Sequence, residues 1–235
     1  MKWRSLQESG SYSDLRPLRE IFAERKETIA KYVPAEVQAI HRRTVDALKA
    51  DSFATLALAS VTTIPPFELS DHDGKRVSSA DLLSKGRLVL CFIRGRWCPF
   101  CVGQLEAMNY IAAQITDAGA QLVAISPQTE KQAFFMRDQH KLAFPVLVDA
   151  HNELARQFGL VYKVPDEQQK LYRSTFINLP FINGRDVREN GSWELPIPAT
   201  YIVDRDGSVL FASANEDYTE RPEPLDLLSI LEHSA

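Results

Sequence analysis

Residues 87–93, RLVLCFI, form a near-continuous apolar run of β-branched, aromatic and other apolar side chains, the mark of a strand covered on both faces. Six residues on, the pattern changes period. From Pro99 to about Asp117, Leu105, Met108, Ile111, Ala112 and Ile115 fall on one helical stripe, and Gly119 can end it. The junction between buried strand and helix holds the run Trp97-Cys-Pro-Phe-Cys101.

The alternation continues downstream, with a strand at 121–126, a helix near 130–140, a strand at 145–148 and a short helix at 152–158. It predicts right-handed crossovers and a mainly parallel sheet core, an α/β architecture. Strands at 201–203 and 209–212 flank Asp204-Arg-Asp-Gly207 as a hairpin, which makes the sheet mixed, and 224–232 supplies a last helix.

Pro65 and Pro66 mark a boundary, after which 67–69 and 75–77 read as short strands around the turn 71–74. Upstream, Ile21, Phe22, Ile29, Val33, Val37, Ile40, Val45 and Leu48 recur at three-to-four-residue spacing, a helical pattern broken at Pro34. The division is an N-terminal helical arm at 1–64 and a main domain at 65–235. The arm packs on the main domain or on a second subunit, the latter giving a homodimer, or it contributes to a substrate site. Residues 160–197 carry no sustained period, and so long a connection is a functional loop or a small subdomain. Its aromatics Tyr162, Tyr172, Phe176, Phe181 and Trp193 either pack together or drape over the two cysteines.

At 235 residues, with a net charge of −4, 45% hydrophobic and 25% charged residues, the chain has the composition of a soluble globular protein with no basic excess for nucleic acid. The first twenty residues lack the apolar core of a signal peptide, and the apolar stretch 53–64 is too short to span a bilayer, so a cytoplasmic protein is expected. The three cysteines, Cys91, Cys98 and Cys101, are too few for a disulfide framework.

A helix beginning at Pro99 places proline at its first position, where the missing N–H and fixed φ cost least, and makes Cys98 the cap. The free amide hydrogens and partial positive charge of the helix end favour a thiolate there. Arg94 and Arg96 would lower the thiol pKa further if they turn toward sulfur, Cys101 sits one turn in and less exposed, and Trp97 shields one side. No second Cys-x-x-Cys and no suitably spaced His pair accompany the run, so neither a metal nor another cofactor is expected. Cys91, alone in an apolar strand, reads as a core residue.

With RGRWCPFC, AISPQ at 124–128 and PIPATYIVDRDG at 196–207, the chain resembles the peroxiredoxin-like branch of the alkyl hydroperoxide reductase and thiol-specific antioxidant superfamily. The resemblance implies a thioredoxin-like fold, a central mixed sheet flanked by helices, with a dithiol at a helix start. It matches Pro198 to the cis-proline of thioredoxin-like proteins and places Thr200 in the strand that follows. There are departures: Arg94 stands where peroxiredoxins carry the motif proline, Cys98 where they carry threonine, Pro198 near the place of their arginine, and Gln104 where they usually carry glutamate. Arg94 or Arg96 is then the candidate for the missing positive charge. The buried acid of thioredoxins is replaced by Phe92. The resemblance makes Cys101 peroxidatic and Cys98 resolving, whereas the helix cap favours Cys98 as the attacking thiol. Three activities follow: a hydroperoxide-reducing thiol peroxidase served by a thioredoxin-type or glutathione-type donor, a reductase of protein or small disulfides, or a non-enzymatic redox sensor.

Overall fold

The computed structural model describes residues 16–233, so the polar amino-terminal stretch 1–15 lies outside the described residues. Three helices come first: α1 (Leu18–Tyr32), α2 (Ala35–Ala50) and α3 (Phe53–Ala59). They are followed by β1 (Glu68–Asp71), β2 (Arg76–Ser78), α4 (Ser79–Lys85) and β3 (Arg87–Phe92). The helix predicted from Pro99 to Asp117 is two, α5 (Pro99–Tyr110) and α6 (Ala112–Asp117), because Ile111 leaves helical geometry with ψ of 10°. Then come β4 (Ala120–Ser126), α7 (Glu130–Gln139), β5 (Val146–Val148), a 3₁₀ turn (Ala150–Asn152) and α8 (Glu153–Gln157). The stretch 160–197 folds as a small subdomain: β6 (Val161–Lys163), α9 (Asp166–Ser174), α10 (Leu179–Ile182) and β7 (Glu194–Pro196), with β6 and β7 paired antiparallel. Strands β8 (Ala199–Val203) and β9 (Val209–Ala214) and helix α11 (Pro224–His233) complete the chain.

The main sheet has seven strands in the order β2-β1-β5-β4-β3-β8-β9. Strand β3, beside the central strand β4, runs parallel to β4 and antiparallel to β8, so the sheet is mixed. Alternation along β3 sends Val89 and Cys91 into one core cluster and Leu88, Leu90 and Phe92 into the other. Both faces are therefore covered, and Ile93 continues the pairing through its N–H to Ile125 O at 2.9 Å. Among the described residues no helix is long and apolar enough to cross a membrane.

The arm packs on the main domain of its own chain. Helix α1 has no side-chain cap from Pro17. Instead Glu223, just before α11, accepts hydrogen bonds from the N–H groups of Leu18 and Arg19 at 2.8 Å each. A carboxylate there satisfies orphan donors and faces the positive helix end. Phe22 meets Phe100 edge-on at 5.0 Å, Arg25 donates to Pro99 O, and Lys26 pairs with Glu220. Gly103 makes this approach possible, since a Cβ on it would lie 2.8 Å from the Phe22 ring. On α2, Thr44 donates to Gln168 Oε1 at 2.7 Å, and Arg43 pairs with Glu167, tying the arm to α9.

Truncating Phe22 to alanine removes a buried ring that contacts Phe100 of α5. Phe22→Ala should cost about 3–5 kcal/mol, read as a lower urea midpoint at unchanged m-value.

Candidate active site

Strand β3 delivers the chain to a short loop whose geometry depends on Gly95. Its φ of +139° suits glycine, and a Cβ there would sit 2.7 Å from Gln128 Cδ and 2.9 Å from Trp97 Nε1. Gln128, from the AISPQ segment, accepts the Arg96 N–H at 2.8 Å and holds the loop in place. Proline is then the first residue of α5, and Cys98 is its cap, as the spacing predicts.

The two arginines diverge on either side of Gly95. Arg96 is engaged elsewhere than at sulfur: its Nε donates to Gln132 Oε1 at 2.7 Å and its guanidinium lies over Phe135 at 5.8 Å. The positive φ of Gly95 breaks the extended alternation that would put residues 94 and 96 on one side. Arg94 turns inward and is 1% exposed. Its guanidinium lies 4.7 Å from the Trp97 ring centre and 4.3 Å from that of Tyr218, and Nη2 donates to the Tyr172 hydroxyl. Burial opposes its charge, while the phenols of Tyr172 and Tyr162 and the Cys98 sulfur support it.

A second arginine, not singled out by sequence reasoning, serves the other cysteine. Arg221, 120 residues beyond Cys101, places Nη2 3.6 Å from Cys101 Sγ and donates from Nε to Gln104 Oε1 at 2.7 Å. Gln104 passes the link on, its Nε2 donating to Thr200 Oγ1 at 3.0 Å. Thr200 stands opposite Cys91 in the β8–β3 register. Nothing in a single sequence marks Arg221, because its relation to the dithiol is created by the return of the chain after β9.

Pro198 corrects the expectation of a cis bond. Every described peptide bond is trans, that before Pro198 included. Ile197 is anchored by its N–H to Leu160 O at 2.8 Å, and the chain passes from β7 directly into β8 without a turn for a cis bond to serve.

All three cysteines are reduced and buried. Burial disfavours ionisation of Cys98, but it is outweighed by the hydrogen bond from Cys101, then by the charges of Arg94 and Arg221, and last by the Cys101 backbone N–H. The Cys98 thiol is therefore held well below its ordinary range. Cys101 is pushed the other way, by burial first and then by its hydrogen bond to Cys98 and that sulfur's charge. Burial pushes Cys91 up to about 12, against weaker help from Thr200 and Arg221. The three thiols are thus shifted apart, Cys98 downward and Cys101 and Cys91 upward.

Cys98 lies at an apolar cleft of about 600 Å³ between arm and main domain, whereas Cys101 does not line it. Ile29, Val33 and Val37 form the arm's wall, Leu171 and Ile177 the wall of the 160–197 subdomain, and Phe100 the floor beside sulfur. His41 of α2 lies 5.9 Å from both Tyr172 and Tyr218 by ring centres; burial and then the Arg94 charge lower its pKa to about 4, leaving it neutral near neutrality. Of the five aromatics noted in 160–197, Tyr172 reaches the dithiol region, edge-on to Trp97 at 5.4 Å, whereas Phe176 and Phe181 point to solvent. No cluster of metal-ligating side chains occurs among the described residues.

The sequence profile of the AhpC/TSA family matches residues 62–212. The chain belongs to that family. AhpC/TSA membership places it among the thiol-dependent oxidoreductases, and its mixed sheet with a dithiol at a helix start is the thioredoxin-like architecture of peroxiredoxins. Thiol-disulfide oxidoreductase ResA of Bacillus anthracis is 22% identical over 160 residues, 68% of this chain and 72% of that one. A Mycobacterium tuberculosis H37Rv protein bearing a peroxiredoxin name is 27% identical over 151 residues, 64% of this chain and 82% of its own. Among solved structures, peroxidoxin BcpB from Mycobacterium tuberculosis superposes with a TM-score of 0.57 at 22% identity, covering 74% of this chain and 96% of that one. The arm helices and Arg221 lie outside the AhpC/TSA match.

The ionisation order is directly measurable. Alkylation of Cys98 by iodoacetamide should keep its full rate at about pH 7, where an ordinary thiol is mostly protonated, and fall only at more acid pH as the thiolate takes up its proton. Cys101→Ala removes the largest stabilising contact to that thiolate, so the inflection should move up toward the ordinary thiol value.

Proposed function

We propose that the protein is a thiol peroxidase in which Cys98 attacks and Cys101 resolves. The observation that carries this reading is the pairing of a low-pKa sulfur lining an apolar cleft with a protonated thiol held against it. The Cys98 thiolate attacks the terminal oxygen of a hydroperoxide, the O–O bond breaks, and the alkoxide leaves and is protonated to the alcohol. Cys98 becomes a sulfenic acid. The Cys101 sulfur then attacks the Cys98 sulfur, hydroxide leaves with the Cys101 proton as water, and the dithiol has given up two electrons as a disulfide.

Arg94 is placed to assist the first step. Its Nε–H is buried and has no acceptor among the described residues, so it can donate to the oxygen on which negative charge develops. Arg221 serves the second step, because its charge beside Cys101 favours the nucleophilic form of the resolving sulfur. Cys98 is only 1% exposed. A small or slender hydroperoxide fits this access better than a protein disulfide, which would have to displace the arm.

A thioredoxin-type or glutathione-type dithiol or thiol donor closes the cycle by reducing the disulfide. A cytoplasmic setting accords with a chain of three cysteines, none committed to structural bridging. Leu18, Ile21 and Phe22 of the arm are buried within the chain while Ile29, Val33 and Val37 line the cleft, and this reading needs no second copy.

Stopped-flow mixing of the reduced protein with cumene hydroperoxide, hydrogen peroxide and a model disulfide, followed by tryptophan fluorescence, tests the assignment. Wild type and Cys101→Ser should react with hydroperoxide, Cys101→Ser accumulating a dimedone-trappable sulfenic acid at Cys98, and Cys98→Ser should be inert. Hydroperoxide consumption by Cys98→Ser at the wild-type rate would sink the reading, as would a model disulfide reacting faster by orders of magnitude.

A further inference from the structure

Arg94, which lines the same cleft as Cys98, is held by a chain of buried hydrogen bonds reaching into the arm. Arg94 Nη2 donates to Tyr172 Oη, and Gln168 Nε2 donates to the same oxygen at 2.8 Å. Gln168 Oε1 in turn accepts from Thr44 Oγ1 at 2.7 Å, and His41 Nδ1 lies 3.0 Å from Gln168 Nε2. Thr44, Gln168, Tyr172 and Arg94 are all buried. They come from three separate parts of the chain: α2 of the arm, α9 of the 160–197 subdomain, and the loop between β3 and α5.

The oxygen of Tyr172 is the node of this chain. A phenol oxygen has two lone pairs, and here both face N–H donors, one of them cationic. The Trp97 and Tyr218 rings near the Arg94 guanidinium attract its charge but offer no directional hydrogen-bond acceptor. A hydrogen bond at one guanidinium nitrogen supplies the missing constraint. With Thr44 donating to its carbonyl oxygen, Gln168 presents its amide nitrogen to Tyr172 Oη and His41 Nδ1.

We propose that Tyr172, oriented by Gln168 and Thr44, is a positioning residue that sets the reactivity of Cys98 by locking Arg94 against it. The inference rests on the assignment of Cys98 as the reactive thiolate. It deepens that assignment by giving the arm and the 160–197 subdomain a defined share in the chemistry. Tyr172 acts through Arg94 and exchanges no electron or proton in the cycle.

The test is a double-mutant cycle read as the pH dependence of Cys98 alkylation and of thiolate absorbance in the reduced full-length chain. Tyr172→Phe keeps the ring and deletes the oxygen. It should raise the Cys98 pKa so that alkylation at about pH 5 slows on the order of fivefold or more. Arg94→Gln should raise it at least as far. In the Arg94→Gln background, Tyr172→Phe should add little, because its effect is routed through the missing charge. An equal shift from Tyr172→Phe with and without Arg94 would overturn the proposal, and so would a folded Tyr172→Phe whose Cys98 titrates as wild type.

Should Tyr172→Phe fail to fold, Thr44→Val becomes the test. It cuts the chain at its outer end and should give a smaller shift in the same direction, and no shift would count against the proposal. Alkylation involves no peroxide, so a wild type that alkylates normally yet ignores hydroperoxides would defeat the peroxidase reading and leave this one standing.

Discussion

The buried guanidinium of Arg94 needs anions or dipoles to offset its desolvation, and it finds them in the Tyr172 hydroxyl and the Cys98 sulfur. Each partner stabilises the other's charged form. Much of the rest of the structure serves to bring them together. The apolar strand β3 sets the loop's origin, Gly95 reverses the side-chain order so that Arg94 and Arg96 diverge, and α9 brings the phenol. The arm closes over the assembly, anchored at one end by Glu223 on the α1 terminus and along its length by Phe22, Arg25 and Thr44.

How legible this was in the sequence depended on whether apolar periodicity recorded it. The run 87–93, the stripe after Pro99 and the hairpin around Asp204-Arg-Asp-Gly207 all show the spacing of the elements they form, and the capping role of Cys98 followed from Pro99. Helix α9, by contrast, buries Gln168, Gln169 and Tyr172. Glutamine at a buried position erases the hydrophobic stripe, since its burial is made tolerable by hydrogen bonds to Thr44, Tyr172 and Val164 that no local pattern encodes. The same reason hid Arg221, and the cap of α1 by Glu223 spans 205 residues.

The resemblance at the family level named the thioredoxin-like fold, and the departures from it proved the more informative part. Cysteine at the usual place of threonine puts the second sulfur within hydrogen-bonding reach of the first, and arginine at the place of proline puts a cation behind it. With Gln104 neutral where glutamate is usual, Arg221 has no carboxylate at that position and shares its charge between an amide oxygen and the Cys101 sulfur. The positive charges of the site thus converge on the sulfurs.

The burial of Arg94 bears on the oxidised protein. When Cys98 and Cys101 join, the negative charge on Cys98 disappears, and the buried Arg94 loses one of the groups that support its charge. That cost falls on the disulfide form alone. It tilts the couple toward the dithiol, as expected when a low-pKa cysteine stabilises the reduced state, and makes the bridge a ready electron acceptor. In the proposed cycle, the same arrangement that sharpens the nucleophile therefore eases its regeneration.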